Sequence, residues 1–333
     1  MKQSNNEEIN KIEKHKMQSE ADNNNINKAI IKTLAFFDLF DYPLTPWEVY
    51  KFLYKKPAKY FDVIIALSNL VQNKKIETKN SFYFLPGKTE IYNVRKERYL
   101  IANKKYKIAR RAARWLSWLT HLKMIAVCNN LAYSNSKNDS DIDVFIITAK
   151  NKIWLTRLLI TLILQLAGLR RHGLNIKDKI CLSFYLTEDN LKLQNIALNP
   201  DPYFYYWFLT LTPIFDGNIY FEFWRNNNWL KFYTPNAFPK IINSHRGIKN
   251  SKFKNYDKKI NQKFDKMLMW RIEGGRLEKL AKIIQLKKMS ANRSSVASQN
   301  DTRVIISDTI LKFHEQDRRA EYRDQWLEKL NSL

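Results

Sequence analysis

The chain has 333 residues, of which 45% are hydrophobic and 14% aromatic, so it can bury a sizeable core and is not a wholly disordered protein. Lys and Arg number 57 against 32 Asp and Glu, and the net charge of +25 favours polyanionic partners such as nucleic acid, nucleotides or an acidic membrane surface. The 7 glycines occupy positions that exclude a G-x-G-x-x-G dinucleotide turn and a G-x-x-x-x-G-K phosphate loop, which argues against Rossmann oxidoreductases and P-loop NTPases.

The N-terminal residues 1–27 are rich in Asn, Lys and Glu and contain no apolar core, which predicts a flexible tail rather than a secretory signal. Cys128 and Cys181 lie far apart in the sequence and belong to no C-x-x-C pair. This spacing gives no support to a disulfide framework or a cysteine zinc site, so we expect the protein in the reducing cytoplasm.

Residues 28–88 predict a winged helix-turn-helix. Three helical patterns lie within residues 28–71, and the second begins at a capping box, Thr45-Pro46-Trp47-Glu48. Two short apolar runs follow, Lys75 to Thr78 and Phe82 to Leu85, and predict a small hairpin. Such a unit either binds duplex DNA through its third helix or serves as a docking or dimerisation module, and the sequence leaves both open.

Residues 89–120 predict one long basic connecting helix, which presents nine Lys and Arg side chains before an apolar end at Trp115 to Leu119. This helix either receives a nucleic-acid backbone or is a solvated connector. Nucleic acid is therefore an expected partner through the winged helix and the basic helix, with these structural alternatives beside it.

The chemistry-bearing residues fall within 121–195. Met124 to Val127 reads as a short buried strand, and Asp141-Ile142-Asp143 opens a second strand. Because side chains alternate along a strand, we expect Asp141 and Asp143 on one face and Ile142 in the core. Two carboxylates placed in this way can hold a divalent cation. We expect this cation to be Mg²⁺, which in turn binds nucleotide phosphates.

The order of strand, turn, polar spacer and D-I-D triplet resembles the nucleotidyltransferase (DNA polymerase beta-like) superfamily, whose pattern is h-G-S, a spacer and D-h-D. The segment Ile153 to Arg157 is similar to the bacterial nucleotidyltransferase-domain proteins in particular, and the resemblance extends from about Ala29 onward. It implies an α+β fold with a small mixed β-sheet nucleotidyltransferase core and flanking helices.

The resemblance also implies site residues. Asp141 and Asp143 would bind the metal and act in catalysis, and Asn129, Asn130 and Ser140 would bind the nucleotide. Arg157 on the following helix either steadies the departing phosphates or pairs with a local acid.

Two departures from the family pattern affect these expectations. Asn129 and Asn130 stand where the family has Gly and Ser, although Asn tolerates a left-handed backbone better than most residues. The strand Lys179 to Leu186 presents Cys181, Ser183 and Tyr185 on its alternating face rather than a carboxylate, so the third acid of the family is missing there. Asp178, Glu188 and Asp189 flank that strand at its ends.

Two functions follow from these residues. The first is a Mg²⁺-dependent nucleotidyltransferase that moves a nucleoside monophosphate from a nucleoside triphosphate to an unidentified hydroxyl acceptor. The alternative is a catalytically degenerate nucleotidyltransferase-like protein that acts as a nucleic-acid-binding or regulatory protein.

Residues 196–333 predict a mainly helical C-terminal domain with a mobile loop near 288–302, where Ser, Asn and Gln are frequent. Lys312, His314, Arg318 and Arg319 either contact an anionic substrate or lie on the surface of a helix. The apolar segment Ile153 to Leu169 predicts a buried helix, because its uncharged part is too short to span a bilayer, and we expect no stable membrane insertion.

Overall fold

The computed structural model describes residues 25–240, 246–247, 275–289 and 302–333. Most of the predicted tail, and most of the loop predicted near 288–302, lie outside these residues. The chain has the mixed α+β class that the sequence predicts, and it divides into two compact units. The described parts of the first unit are residues 25–96, 229–238 and 321–333, and the second unit takes the remainder.

The first unit begins with three helices and a hairpin. Helix α1 covers residues 25–38, α2 Pro46–Phe52 and α3 Tyr60–Gln72, and strands β1 (Glu77–Lys79) and β2 (Phe82–Phe84) pair antiparallel. The three helical patterns and the hairpin are thus confirmed as elements. Helix α1 already includes residues that we predicted as tail, because the apolar side chain of Ile26 is buried.

The predicted capping box at α2 is confirmed. The Glu48 amide donates to the Thr45 hydroxyl, and the Thr45 amide donates to Glu48 Oε2 at 2.9 Å. Arg95 makes two hydrogen bonds of 2.9 Å to the same carboxylate. Burial alone would raise the pKa of Glu48, but the Arg95 charge and these hydrogen bonds lower it below its ordinary value. One acid therefore both caps a helix and forms a partly buried ion pair.

Helix α4, Ile91–Leu116, lies within the predicted basic helix 89–120 and crosses from the first unit to the second after Lys96. Within the second unit its buried face consists mainly of small residues, among them Ala102, Ala109 and Ala113. Small side chains let a helix backbone approach its neighbours closely. Most of the basic residues lie on the opposite, solvent-facing side of the helix, which is therefore amphipathic.

A six-stranded mixed sheet forms the centre of the second unit, in the order β6-β3-β4-β5-β8-β7. Only β4 and β5 among these neighbours run parallel, and the other pairs are antiparallel. The strands are β3 (Leu122–Val127), β4 (Ile142–Thr148), β5 (Ile180–Thr187), β6 (Thr212–Asp216), β7 (Val304–Ile306) and β8 (Ile310–Phe313).

The region 196–333 contributes more than the helices that we predicted, because β6, β7 and β8 all come from it. Its helices are α7 (Pro202–Thr210), α8 (Tyr220–Asn226), α9 (Arg276–Lys288) and α10 (Arg319–Asn331). The strands were missed because each is short, and a short apolar run gains its strand conformation from pairing with a distant partner.

The two faces of the sheet pack against different layers. On one face Ile142 and Ile146 lie in a core with helix α6, Ile153–Leu166. On the other face Phe145 and Phe184 pack against Trp207 of α7, with ring centroids 5.1 to 5.6 Å apart. The sheet is buried on both sides, which holds the ends of β4 and β5 in fixed positions.

Helix α6 covers most of the apolar segment predicted as a buried helix, and Trp154, Ile160 and Leu164 are fully buried. Among the helices in the described ranges, none combines the length and apolar character that a bilayer crossing requires.

Candidate functional site

The two predicted acids lie at the start of β4 on one side of the sheet. Asp141 immediately precedes the strand and Asp143 is its second residue, whereas Ile142 between them is fully buried in the core of the opposite face. The parallel register places Cys181 of β5 beside Asp143. Ligand atoms of Asp141, Asp143 and Cys181 all lie within 4.8 Å of one another, so these three side chains form one cluster, which we call the Asp-Asp-Cys cluster.

Asn129 begins the short helix α5 (Asn129–Ala132), which follows β3, and connects this helix to the cluster. Its side-chain amide donates to Asp143 Oδ2 at 2.9 Å, and its Oδ1 accepts a hydrogen bond of 3.3 Å from the Tyr203 hydroxyl. The backbone of Asn129 has a φ of 53°, in the left-handed region that favours glycine. The site therefore contains a backbone conformation typical of Gly, occupied by a residue whose amide reaches an acid.

A cation from the chain itself contacts the other acid. Arg171 Nη1 donates to Asp141 Oδ2 at 2.5 Å, and the same nitrogen lies 3.8 Å from the Cys181 sulfur. The Arg171 side chain is 41% exposed and that of Asp141 14%, so the ion pair lies at the solvent-facing side of the cluster. An exposed pair of this kind contributes little stability and can be replaced by other partners at small cost.

The close approach of the acids changes how they titrate. Burial, together with the negative charge of Asp141, raises the pKa of Asp143 to about 6, against the opposing effect of the Asn129 hydrogen bond. Burial and the two carboxylates raise the pKa of Cys181 to about 12, so its sulfur is a neutral thiol near pH 7. The cluster has the electrostatics of a site that gains from a bound positive charge.

The loop before the D-I-D triplet is fixed by a buried lysine. Lys105 of α4 donates to the carbonyl oxygen of Ser140 and to Asp178 Oδ1, both at 2.7 Å, and its side chain is 1% exposed. A residue of the predicted basic helix thus holds the loop in place. The same contact engages Asp178, one of the three acids near β5, away from the Asp-Asp-Cys cluster.

The remaining predicted residues make contacts of their own. Asn130 accepts a hydrogen bond of 2.6 Å from the Tyr133 hydroxyl, and the Ser140 hydroxyl donates to the Lys137 carbonyl at 2.9 Å. Arg157 donates to Gln285 Oε1 at 2.5 Å and lies over the Phe313 ring. These predicted nucleotide-binding side chains are thus engaged with local partners, whereas the Asn129 amide is bonded to an acid of the cluster.

The other acids that flank β5 lie at the far end of the strand. Glu188 pairs with Lys123 at 2.9 Å and Asp189 with Lys150 at 3.6 Å. Cys181 is the second residue of β5, whereas these acids follow its last residue. Neither acid adds a third carboxylate to the cluster.

Cys181 and Arg171 are the site residues that our sequence reasoning did not assign. The alternation of β5 did indicate Cys181 on a polar face, but its register with Asp143 follows from a parallel pairing across helix α6. Arg171 lies in a loop with no motif, and its position depends on hydrogen bonds between the Leu169–Arg171 segment and Ile180.

Comparison of the chain with protein-family models, with curated proteins and with solved structures finds no match.

Proposed function

We propose that the protein is a Mg²⁺-dependent nucleotidyltransferase that moves a nucleoside monophosphate from a nucleoside triphosphate to a hydroxyl acceptor. The observation that carries this proposal is the pair Asp141 and Asp143 on one side of a mixed sheet, with ligand atoms close enough to share one cation. The order of β3, the turn at Asn129, and D-I-D at the start of β4 supports the nucleotidyltransferase core that the sequence resembles.

The donor atoms fit Mg²⁺ in part. Asp141 and Asp143 supply carboxylate oxygens, which hard cations prefer. Burial and the Asp141 charge raise the pKa of Asp143, and a bound cation would offset both effects. Cys181 supplies a neutral thiol, which is a poor Mg²⁺ ligand. We therefore assign the metal to the two carboxylates. When bound, Mg²⁺ supplies positive charge that neutralises the polyphosphate.

The residues around the carboxylates position the reactants in this proposal. Asn129 holds Asp143 through its amide, and Lys105 fixes the loop that carries Ser140. The acceptor hydroxyl loses its proton to water and its oxygen forms a bond to the α-phosphorus while the bond to pyrophosphate breaks. The residues therefore act mainly by orientation and charge neutralisation. Cys128 and Cys181 are free thiols, which is compatible with a protein that carries out this reaction in a reducing cytoplasm.

The first unit fits the proposed winged helix. Its three helices precede the β1–β2 hairpin, Lys74 lies three residues before β1, and Lys79 is the last residue of β1. Basic side chains at a wing are suited to phosphate contacts, so nucleic acid is the partner that we propose for this unit.

A specific observation favours the alternative, a degenerate transferase that acts as a nucleic-acid-binding or regulatory protein. Arg171 occupies one oxygen of Asp141, and Cys181 stands where a third carboxylate would complete the metal site. A cation already supplied by the chain reduces the need for a metal ion.

Labelled nucleoside triphosphates and Mg²⁺ separate the two functions. Purified wild-type protein and an extract of small molecules and RNA are incubated with each α-labelled triphosphate in turn. Label transferred by wild type and lost in Asp141→Asn supports the enzyme. Asp139→Asn is the matched control, because Asp139 is exposed in the same loop and should retain activity. Absence of transfer with every triphosphate, together with salt-sensitive DNA binding, would favour the regulatory protein.

A further inference from the structure

A cavity of about 430 Å³ lies beside the Asp-Asp-Cys cluster in the second unit. It has the size of sites that hold small molecules, which occupy about 300 to 1,000 Å³. Cys181 belongs both to the cluster and to the cavity wall, and Arg171, the ion-pair partner of Asp141, also lines the cavity, whereas the two acids do not. The cavity is therefore a neighbouring space that shares Cys181 with the cluster and is joined to it through Arg171.

The path of the chain along β5 explains why a cavity forms there. The segment Leu169–Arg171 exchanges backbone hydrogen bonds with Ile180 at the start of the strand, and β8 pairs with Phe184–Leu186 farther along. Residues 181–183 lie between these two pairings and line the cavity. Backbone hydrogen bonds fix the positions of the Leu169–Arg171 segment and of β8 along β5. The gap between them, which forms the cavity, is therefore a feature of the fold.

The wall of the cavity is strongly basic. Its charged or titratable nitrogen groups come from Arg157, Arg170, Arg171 and His172, and the described lining residues include neither Asp nor Glu. Arg157 is held by Gln285 at 2.5 Å and lies 4.7 Å from the centre of the Phe313 ring. A guanidinium fixed in this way is suited to an oxyanion, because its donors are already oriented.

We propose that this cavity binds the phosphate group of a small phosphomonoester. Three guanidinium groups can neutralise a doubly charged phosphate and donate several hydrogen bonds, as clusters of arginines do in other phosphate sites. The volume exceeds what a bare phosphate ion fills, so the organic part of the ligand occupies the remaining space.

Arg171 links this site to the carboxylates. A phosphate in the cavity competes with Asp141 for the Arg171 guanidinium, whose side chain is 41% exposed and thus able to reorient. Release of Asp141 frees a carboxylate oxygen for a divalent cation. Phosphomonoester and cation therefore bind with positive coupling, and by linkage each strengthens the other equally. This coupling, unlike the phosphate site itself, rests on the proposed metal-dependent function.

Calorimetric titration without divalent cations tests the phosphate site. Ribose 5-phosphate is the probe and ribose is the neutral control. We expect ribose 5-phosphate to bind wild type, ribose not to bind, and Arg170→Ala to weaken binding by about tenfold, the effect of one lost charge-assisted contact. Lys177→Ala is the matched control, since this exposed residue follows the wall residues Arg171 to Gly173 in the sequence, is not part of the wall and should leave affinity unchanged.

Equal loss in Arg170→Ala and Lys177→Ala would overturn the phosphate site, because binding would then report general surface charge. Absence of ribose 5-phosphate binding to wild type would also overturn it. Arg170 tolerates the change structurally, since its side chain makes a single long hydrogen bond of 3.5 Å to Gln165.

Mg²⁺ titrations with and without saturating ribose 5-phosphate test the coupling, after subtraction of Mg²⁺ binding to the ligand alone. We expect the wild-type affinity for Mg²⁺ to rise about fivefold with the ligand, the lower range of allosteric coupling. Arg171→Gln should bind Mg²⁺ more tightly than wild type without ligand and gain nothing from it. Phosphomonoester binding with unchanged Mg²⁺ affinity would overturn the coupling. If neither wild type nor Arg171→Gln binds Mg²⁺ under any condition, the proposed metal-dependent function and the coupling are both wrong. The phosphate site would not be contradicted by that result.

Discussion

Cys181 lies directly beside Asp143 in the parallel register of β4 and β5, and its sulfur is within 4.8 Å of one carboxylate oxygen of each acid. Burial and these negative charges raise the pKa of the thiol to about 12, so it remains neutral over the physiological range. A neutral thiol neither repels the two carboxylates nor binds Mg²⁺ well. The identity of this one residue thus determines how strongly the cluster attracts a hard cation.

Cys181→Asp should convert the cluster into a three-carboxylate metal site. Without Mg²⁺ the variant should melt below wild type, because a third negative charge is added within a few ångströms of two others. Saturating Mg²⁺ should raise its melting temperature by about 5 °C, since a ligand bound only by the folded state stabilises it. Cys181→Asn is the uncharged control of similar size and should respond as wild type does. Equal Mg²⁺ responses in Cys181→Asp and Cys181→Asn, measured by thermal unfolding, would contradict this assignment.

The raised pKa of Asp143 predicts a pH dependence of stability. In the unfolded chain this carboxyl titrates near its ordinary value of 3.8, whereas burial and the Asp141 charge raise the folded value to about 6. The folded state therefore holds the proton more tightly, and the free energy of unfolding falls as pH rises from about 4 to about 6.

Asp143→Asn should remove this part of the pH dependence. Relative to wild type, the variant should be unchanged below about pH 4 and more stable by about 1 kcal/mol or more above pH 6, because an unfavourable buried charge is gone. Urea unfolding across this range gives the difference, with the exposed Asp139→Asn as control. A constant difference between Asp143→Asn and wild type at all pH values would show that Asp143 titrates normally.

Local features of the fold could be predicted because neighbouring residues determine them. The Thr45–Glu48 capping box needs only a three-residue spacing, and the alternation of Asp141, Ile142 and Asp143 follows from strand geometry once the strand is recognised. The predicted burial of the apolar helix after β4 rests on the same kind of short-range pattern.

Features that depend on distant segments could not be predicted in this way. In the sequence Lys105 is indistinguishable from the other positive charges of the basic helix. In the structure it is buried against the Ser140 carbonyl, 35 residues away in sequence. Lys312 and Arg319 read as surface or substrate-binding cations, and they are instead 3% and 6% exposed in side-chain ion pairs with Asp317. The pattern of charged residues along a helix or strand does not specify which of them become buried, because burial depends on contacts with residues far away in the sequence.

Lys105→Met should destabilise the second unit by about 1 to 2 kcal/mol. The substitution keeps the length of the side chain but leaves the Ser140 carbonyl without its buried donor, whereas Asp178, whose side chain is 41% exposed, regains much of its lost pairing from water. Lys104→Met is the control, because Lys104 is the exposed neighbour on the same helix and should change stability by less than about 0.5 kcal/mol. Urea unfolding measures both. Similar stabilities of the two variants would mean that Lys105 does not anchor the loop.

Asp317 should provide stability that is lost in acid. Burial would raise its pKa, but hydrogen bonds and charges from Arg319 and Lys312 outweigh burial and lower the pKa to about 2. Because the unfolded value is the higher one, the stabilisation is complete above about pH 4 and disappears as pH falls toward 2. The same arginine contacts Asp201 at 3.0 Å, so the loss of Asp317 also disturbs a second buried acid.

Asp317→Asn should therefore destabilise the protein by about 2 kcal/mol near neutral pH and by much less near pH 2. The direction follows from the ion pairs, since the neutral amide leaves Arg319 and Lys312 as buried cations with one partner fewer. Asp324→Asn is the matched control, because Asp324 is 64% exposed and its ion pair with Arg323 should contribute little. Chemical unfolding near neutral pH and near pH 2 measures the free energy of unfolding of each variant. If the effect of Asp317→Asn is the same at both pH values, the Asp317 carboxylate does not stabilise the fold through these cations.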